Sequence, residues 1–151
     1  MAAQSFADNI DVPNRSEVAW GTHPGGYKGQ GNLFTLKAGA TVNPYRAVKF
    51  GADTAHVIQG AAATDTTIGI CQSPQAAATE GYVMLAMFGL AKMELGGTVV
   101  AGDLLSSDSV GRGVVSLAAP TDRVIAVALA SGGTGTVIDV VVSQSKNGGV
   151  T

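Results

Sequence analysis

Short apolar runs alternate with polar residues along most of this chain, and Gly, Asp, Asn or Pro separates nearly all of the runs. An apolar residue at every second position, with many Val, Ile and Thr, is typical of half-buried β-strands. The pattern predicts strands at 33–37, 46–50, 55–59, 67–72, 82–88, 90–95, 104–107, 113–117, 123–130 and 136–143. Strands this short and this regularly spaced leave no room for crossover helices, so we expect an all-β sandwich or small barrel.

The sequence repeats itself when it is shifted by 57 residues, with nine identical pairs among 32 gapless positions that begin at residue 39. The pairs are Gly39 with Gly96, Thr41 with Thr98, Val42 with Val99, Val57 with Val114, Ala61 with Ala118, Ala62 with Ala119, Thr64 with Thr121, Asp65 with Asp122 and Ile68 with Ile125. We expect two copies of one β-motif, at 39–95 and 96–143, that pair to close a single core. The alternative is that strands of similar composition resemble one another without a repeat.

Residues 1–31 differ in kind from the rest of the chain. Two prolines and the glycine-rich run 25–31 exclude a regular helix or a central strand. Five large apolar residues are nevertheless spaced through the segment: Phe6, Ile10, Val12, Trp20 and Tyr27. Because such side chains need a surface to pack on, we expect an extended arm that docks on a neighbour or wraps its own domain. The predicted organisation is an arm at 1–31, a β-domain at 32–143 and a flexible tail at 144–151.

Charged residues are few. The chain has 151 residues with nine Lys or Arg and eleven Asp or Glu, so 13% of it is charged, about half of the ~25% that is usual. A folded monomer of 15.1 kDa exposes roughly 7,000 Å², and so sparse a charge on that area is typical of a surface that contacts other subunits. We therefore expect a homo-oligomer.

Composition also excludes several partners. No basic run is present to form a nucleic-acid groove. The longest nearly uncharged apolar run, 83–91, is far shorter than the ~20 residues of a membrane-spanning helix. The first ten residues lack the basic and apolar regions of a signal peptide. A single cysteine, Cys71, cannot form an intramolecular disulfide, which fits a reducing cytoplasm. We expect neither nucleic acid nor membrane as a partner.

Side chains that catalyse reactions or bind metals are sparse. His23 and His56 have no second ligand at the i, i+4 spacing of a metal site, and His56 is predicted to be a solvated or hydrogen-bonded strand residue. No Ser lies in a Gly-x-Ser-x-Gly elbow. Cys71 follows an apolar strand without a basic neighbour, so we predict a small core residue. The run 25–31 lacks the spacing of a phosphate-binding loop.

The acidic residues also favour structural roles. Asp65 and Asp122 hold the same place in the two copies, where a short carboxylate caps a turn by accepting backbone N–H bonds. Asp139 is predicted to face outward from an alternating strand. General acid–base catalysis needs converging carboxylates or a histidine, and the sequence brings no such group together. We expect no enzyme activity, no cofactor and no metal.

Four apolar motifs occur in a recognisable order. They are GATVNPYRAV at 39–48, IGIC at 68–71, VAGDLL at 100–105 and VIAVAL at 124–129. In this order and spacing the chain resembles the tailed-phage capsid decoration, or cement, proteins called DUF2190, over roughly residues 33–143. Two features depart from that family: Pro44-Tyr45-Arg46 stands where Gly-Asp is expected, and the arm before Leu33 is longer.

The resemblance implies a non-enzymatic protein that binds the outside of an icosahedral head, as a homotrimer, and reinforces it. Its partner would be the major capsid protein, and its location the outer capsid surface of a virion assembled in the host cytoplasm. The five apolar arm residues would then be the candidate capsid or subunit interface. The alternative is a β-rich adhesion or carbohydrate-binding module of a virion surface, which requires aromatic side chains clustered on the folded domain.

Overall fold

The computed structural model describes residues 33–117 and 119–146. They form β1 (Leu33–Ala38), β2 (Ala47–Phe50), β3 (His56–Gln59), β4 (Thr67–Cys71), β5 (Tyr82–Ala86), β6 (Gly89–Glu94), β7 (Leu104–Ser107), β8 (Gly113–Val115), β9 (Arg123–Ala128) and β10 (Val137–Lys146). Every predicted strand is present, which confirms the all-β prediction. Within these residues no helix has the length and apolar character needed to span a membrane.

The strands form two sheets. The first is a closed barrel in the order β1-β3-β2-β4-β5, with β5 pairing back to β1. Its β1–β3 pair is parallel, and the other pairs are antiparallel. The second sheet has the order β6-β10-β9-β7-β8, and one isolated parallel bridge joins Leu95, the residue after β6, to Gly113 at the start of β8. We call these the first barrel and the second sheet.

The two sheets have the same topology. Because the first barrel is closed, its strand order can also be written β1-β5-β4-β2-β3. If β1 to β5 correspond in order to β6 to β10, this order becomes β6-β10-β9-β7-β8, which is the order of the second sheet. Matched bridges between loops support this correspondence: Val42 pairs with Ala77, and Val99 pairs with Gly132. The fold is therefore built from two similar motifs. The chain passes from one sheet to the other between β5 and β6, inside the segment 39–95; the predicted domain boundaries stay a prediction.

The register corrects one part of the repeat. In the first barrel Phe50 pairs with Val57, whereas in the second sheet Ser107 pairs with Gly113. The β7–β8 hairpin is thus one residue shorter than the β2–β3 hairpin, and the structural equivalent of Val57 is Gly113. The identity of Val57 with Val114 therefore does not mark equivalent positions, because a gapless comparison cannot represent a hairpin that differs in length.

Aspartates cap several turns. Asp65 Oδ2 accepts hydrogen bonds from the backbone N–H groups of Ala61 and Ala62 at 2.7 and 3.1 Å, which confirms its predicted capping role. Asp108 does the same in the β7–β8 hairpin, where Oδ1 accepts from the N–H groups of Val110 and Arg112. Such bonds satisfy amides that the sheet ladder leaves out. The turns between strands are therefore held by side chains that the sequence places locally.

Each sheet encloses its own apolar cluster. One fills the first barrel, and the other fills the second sheet but also takes in residues from the outside of the first barrel. The expectation of a single core shared by both copies is wrong, because five strands suffice for each copy to wrap around its own interior. The outside residues of the first barrel in the second cluster are cross-strand neighbours, which we call the covered row: Leu33, Ala86, Ile70 and Ala47.

Polar groups also connect the two sheets. Gln72 is buried at the end of β4, where its Nε2 donates to Lys92 O and its Oε1 accepts from Lys92 N, both at 2.9 Å. The amide thereby pairs with β6 as a neighbouring strand would. Arg46 Nη2 donates to Glu94 Oε2 at 2.9 Å, and both side chains are mostly buried. Charge-assisted bonds of this kind are stronger than neutral ones, so these contacts orient the sheets.

One glycine permits close approach between the sheets. Gly111 has a φ of 80°, and its carbonyl accepts a 2.7 Å bond from Ala47 N. A Cβ at this position would lie 2.8 Å from Gln59 Cγ.

The last strand of the second sheet is longer than predicted. β10 extends to Lys146, three residues into the segment predicted as the tail, because Ser145 and Lys146 pair with β9 after a register shift.

Candidate interaction surface

The five residues predicted to form the interface lie outside the described residues. Phe6, Ile10, Val12, Trp20 and Tyr27 all belong to the segment 1–31, and their role stays a prediction.

His56 lies at the start of β3 between two carboxylates. Its Nδ1 is 2.9 Å from Asp53 Oδ1, and its Nε2 is 3.0 Å from Glu80 Oε1. The hydrogen bond with Asp53 raises the pKa of His56 above its usual value, against a smaller opposing effect of burial, and Glu80 adds to the rise. This arrangement confirms the prediction of a hydrogen-bonded strand residue.

Cys71 is fully buried in the core of the first barrel. Burial raises the pKa of its thiol, because the thiolate would be removed from water. A thiol in this state is a poor nucleophile and a poor metal ligand. The prediction that Cys71 packs as a small core residue is confirmed.

Apart from His56 with its two carboxylate partners Asp53 and Glu80, groups that could support chemistry are dispersed over the described part of the chain. No three of its His, Cys, Asp or Glu side chains come together as a metal site would require. A polar cleft of about 260 Å³ lies where the starts of β4 and β9 meet the end of β10. Among the described residues that line it, Arg123 is the one ionisable side chain, and the others are Thr66, Thr67, Val124, Gln144 and Ser145. A single cation with hydroxyl and amide neighbours provides no acid–base pair.

A line of apolar side chains crosses the outside of the second sheet. Leu90 of β6 pairs with Val141 of β10, Val141 pairs with Val127 of β9, and Val127 pairs with Leu104 of β7. Leu90 and Leu104 are 52% and 45% exposed, and the two valines between them are half-buried. We call these four residues the outer row. They alternate with buried neighbours, so all four face away from the core.

Other large apolar side chains of the domain are also exposed. Phe34 of β1 contacts Phe88, with ring centroids 6.1 Å apart at an angle of 60°, a tilted geometry that aromatic pairs favour. Leu129, one residue beyond β9, is also about half exposed. Fully burying one Leu or Val contributes roughly 1.5–3 kcal/mol, so covering the outer row alone contributes on the order of 3 kcal/mol. This face can therefore bind a protein surface through apolar contacts.

One pair of charges on the strands of the outer row is matched within the chain. Lys92 Nζ lies 2.9 Å from Asp139 Oδ1, and Asp139 is exposed and faces outward as predicted. Such pairs contribute little to stability in water and leave the outer row as the uncharged part of the face.

The sequence analysis did not predict the outer row, although the sequence of β6 indicates that Leu90 faces outward. In β6, Leu90 has the same parity as Lys92 and Glu94, whose charges place them on the outside. Leu90 must then be on the outside as well. For Leu104 and Val127 the local pattern is uniformly apolar, and only the strand pairing shows which side chains face outward.

No model of a known protein family and no curated protein sequence matches this chain. Among solved structures, it is similar to the head fiber gp8.5 N base in bacteriophage phi29. The two share 20% sequence identity with a TM-score of 0.59, over 76% of this chain and 95% of the other. At this identity the comparison shows a common fold.

Proposed function

We propose that this protein is a capsid decoration protein, which binds the outer surface of an icosahedral phage head and stabilises it without catalysis. The observation that carries the proposal is the fold shared with a phage head fiber base, since 95% of that chain is covered. The four motifs that resemble the DUF2190 decoration proteins, from GATVNPYRAV to VIAVAL, lie on the same β-domain. One observation is a shared fold and the other a resemblance of sequence motifs, and both favour a structural protein of a phage head.

The proposed mechanism is mass action. A protein that binds only the assembled head stabilises it by RT ln(1 + [L]/Kd) for each site. A homotrimer that contacts several copies of the major capsid protein gains further from multivalency. This function requires no cofactor, and a rigid double β-fold with few charges suits it.

The apolar residues of the segment 1–31 supply the proposed contact with the head. An extended segment can add to the edge of a neighbouring sheet while its side chains fill pockets. In such contacts a few aromatic anchors carry most of the affinity, often 2 kcal/mol or more each. Trp20, the one tryptophan of the chain, is the strongest anchor by residue type.

Cryo-electron microscopy of heads from the source phage, with and without the purified protein, tests the proposal. We expect added density at regular positions on the outer surface, and heads that resist heating better when decorated. Bare heads at saturating protein would overturn the proposal. Binding to host cell envelopes or glycans in the same assay would favour an adhesion module.

Sedimentation of the protein with heads tests the role of the arm. We expect Trp20→Ala to weaken binding by roughly thirtyfold, while the control Tyr82→Ala, which removes an exposed aromatic side chain of the β-domain, has little effect. Deletion of 2–31 should leave a cooperative melt and β-type circular dichroism but remove binding. Full binding by the Trp20→Ala variant would assign the contact to another surface.

A further inference from the structure

The polar cleft at the starts of β4 and β9 has no part in the function proposed above. Its volume is about 260 Å³, and it lies between β4 of the first barrel and β9 and β10 of the second sheet. Arg123 N donates to Ala63 O at 2.8 Å, so the backbone that carries the guanidinium is fixed against the first barrel. We call this space the Arg123 cleft.

Irregular strand ends shape the Arg123 cleft. β10 shifts its register against β9 between Val142 and Ser145, and β4 shifts its register against β2 directly after Thr67. Neighbouring residues of a regular strand face opposite sides, whereas a β-bulge re-aims a side chain and is frequent next to functional sites. Consecutive residues of both strands line the same space here, namely Thr66 with Thr67 and Gln144 with Ser145.

The lining of the cleft is rich in hydrogen-bond donors. Arg123 supplies a half-buried guanidinium, and Thr66, Thr67 and Ser145 supply hydroxyl groups. No carboxylate is among the described residues that line the cleft. Within the part of the chain that the structure describes, the Arg123 side chain forms no ion pair or hydrogen bond with another residue. A partly buried cation without a counter-ion favours an anionic ligand.

The two carboxylates nearest in the sequence do not neutralise this cation. Asp65 precedes Thr66, but its Oδ1 lies 2.8 Å from Lys49 Nζ, and its Oδ2 accepts bonds from two backbone N–H groups of its own turn. Asp122 precedes Arg123 and is buried, but it does not line the cleft. Neither of these described residues forms an ion pair with Arg123, which leaves the guanidinium available to a ligand.

The size of the cleft and the geometry of its cation restrict the ligand. Sites for drug-sized molecules usually enclose ~300–1,000 Å³, so a cleft of about 260 Å³ suits a small anion or a single side chain. The planar fork of an arginine matches a carboxylate, which it binds through two parallel hydrogen bonds. Val124 adds an apolar surface on which the carbon atoms next to a carboxylate can pack.

We propose that the Arg123 cleft binds a carboxylate, through paired hydrogen bonds from the Arg123 guanidinium and further bonds from the hydroxyl groups of Thr66 and Ser145. The same chemistry recognises a small free carboxylic acid and the side chain of an Asp or Glu on a partner protein. The inference does not depend on the decoration function, because carboxylate binding is a property of the chain alone.

NMR titration of the isotope-labelled full chain tests the proposal. The ligand is N-acetyl-L-glutamate amide, in which the side-chain carboxylate is the only charge. We expect saturable shifts in the backbone amide signals of the lining residues Thr66, Thr67, Val124 and Ser145. The neutral N-acetyl-L-glutamine amide has nearly the same size and should cause no saturable shift. Equal binding of the two compounds, or saturable shifts only outside the cleft, would overturn the proposal.

Substitution of the cation tests the assigned contact. We expect Arg123→Gln to weaken carboxylate binding at least tenfold, and Arg123→Lys to weaken it less, because lysine keeps the charge but lacks the fork. The control Lys37→Gln removes an exposed cation that lies 3.2 Å from Glu80, and it should leave binding unchanged. With circular dichroism showing that the variants are folded, full binding by Arg123→Gln would overturn the proposal, and full binding by Arg123→Lys would overturn the paired contact.

Competing ligands distinguish the two sources of the carboxylate. If the blocked glutamate binds more tightly than acetate, the cleft is assigned to an acidic side chain of a partner protein. If acetate binds as tightly or more tightly, the cleft is assigned to a small free carboxylic acid. Inorganic phosphate that binds the cleft as tightly as both carboxylates would overturn the proposal, because a tetrahedral anion does not require the planar contact.

Discussion

Tyr45 and Gly102 adopt the same left-handed backbone conformation at equivalent turns, with φ values of 58° and 97°. Tyr45 N donates to Cys71 O at 2.9 Å, and Gly102 N donates to Ala128 O at 2.7 Å. A residue with a Cβ loses roughly 1–2 kcal/mol in this conformation, whereas glycine adopts it readily. The turn of the first barrel therefore keeps its geometry although it has tyrosine where the decoration-protein motif has glycine.

This relationship predicts the effect of substitutions at the two turns. Tyr45→Gly should be more stable than Tyr45→Ala by about 1 kcal/mol, because both lose the ring but only alanine keeps the strain. Gly102→Ala should lose about 1 kcal/mol through strain alone, since no atom lies within 4 Å of its added Cβ. Urea denaturation measures these differences. Gly133→Ala is the control, because it has equally open space without a left-handed φ, and it should not be destabilising.

The pairing of Gln72 with β6 predicts a large effect for a single amide. Gln72→Leu removes both 2.9 Å bonds to the Lys92 backbone at a buried position, and should lower the free energy of unfolding by about 2–4 kcal/mol. Gln144→Leu, which loses one exposed bond of 3.5 Å, should change it by less than about 0.5 kcal/mol. Equal effects in chemical denaturation would mean that Gln72 does not join the sheets.

The site around His56 predicts a pH dependence. Its pKa is raised in the folded protein by the hydrogen bond with Asp53, so the protonated ring stabilises the fold fully below its unfolded pKa of about 6.5. That contribution is lost as the pH rises through the higher folded pKa. NMR titration of the ring should give a pKa above 6.5 that falls in Asp53→Asn and is unchanged in Asp139→Asn. A wild-type value below 6.5 would contradict the assigned cause.

The buried state of Cys71 predicts slow thiol chemistry. The native protein should react with an aromatic disulfide reagent far more slowly than the urea-unfolded chain, because the thiol is enclosed in the first barrel and burial raises its pKa.

Reductant and EDTA should leave the melting temperature of the protein unchanged. A shift of several degrees on adding EDTA would indicate a metal site.

The sequence by itself determined the strands and their repetition. Alternation of apolar and polar residues is a local property, because neighbouring side chains of a strand face opposite sides, and all ten predicted strands occur in the structure. Turn caps such as Asp65 were equally accessible, since their bonds reach only three or four residues along the chain. The 57-residue repeat likewise predicted two copies of one β-motif.

Only the tertiary structure decided which equivalent surface is covered. Ile70 and Val127 are both apolar residues at corresponding places in a strand, yet Ile70 is buried against the second sheet and Val127 lies in the outer row. The roles of Gln72 and of the Arg46–Glu94 pair were also hidden, because their partners are 20 and 48 residues away. The burial of a side chain depends on which sheet surfaces pack against each other. That packing joins residues far apart in the sequence, so the local pattern of apolar and polar residues does not specify it.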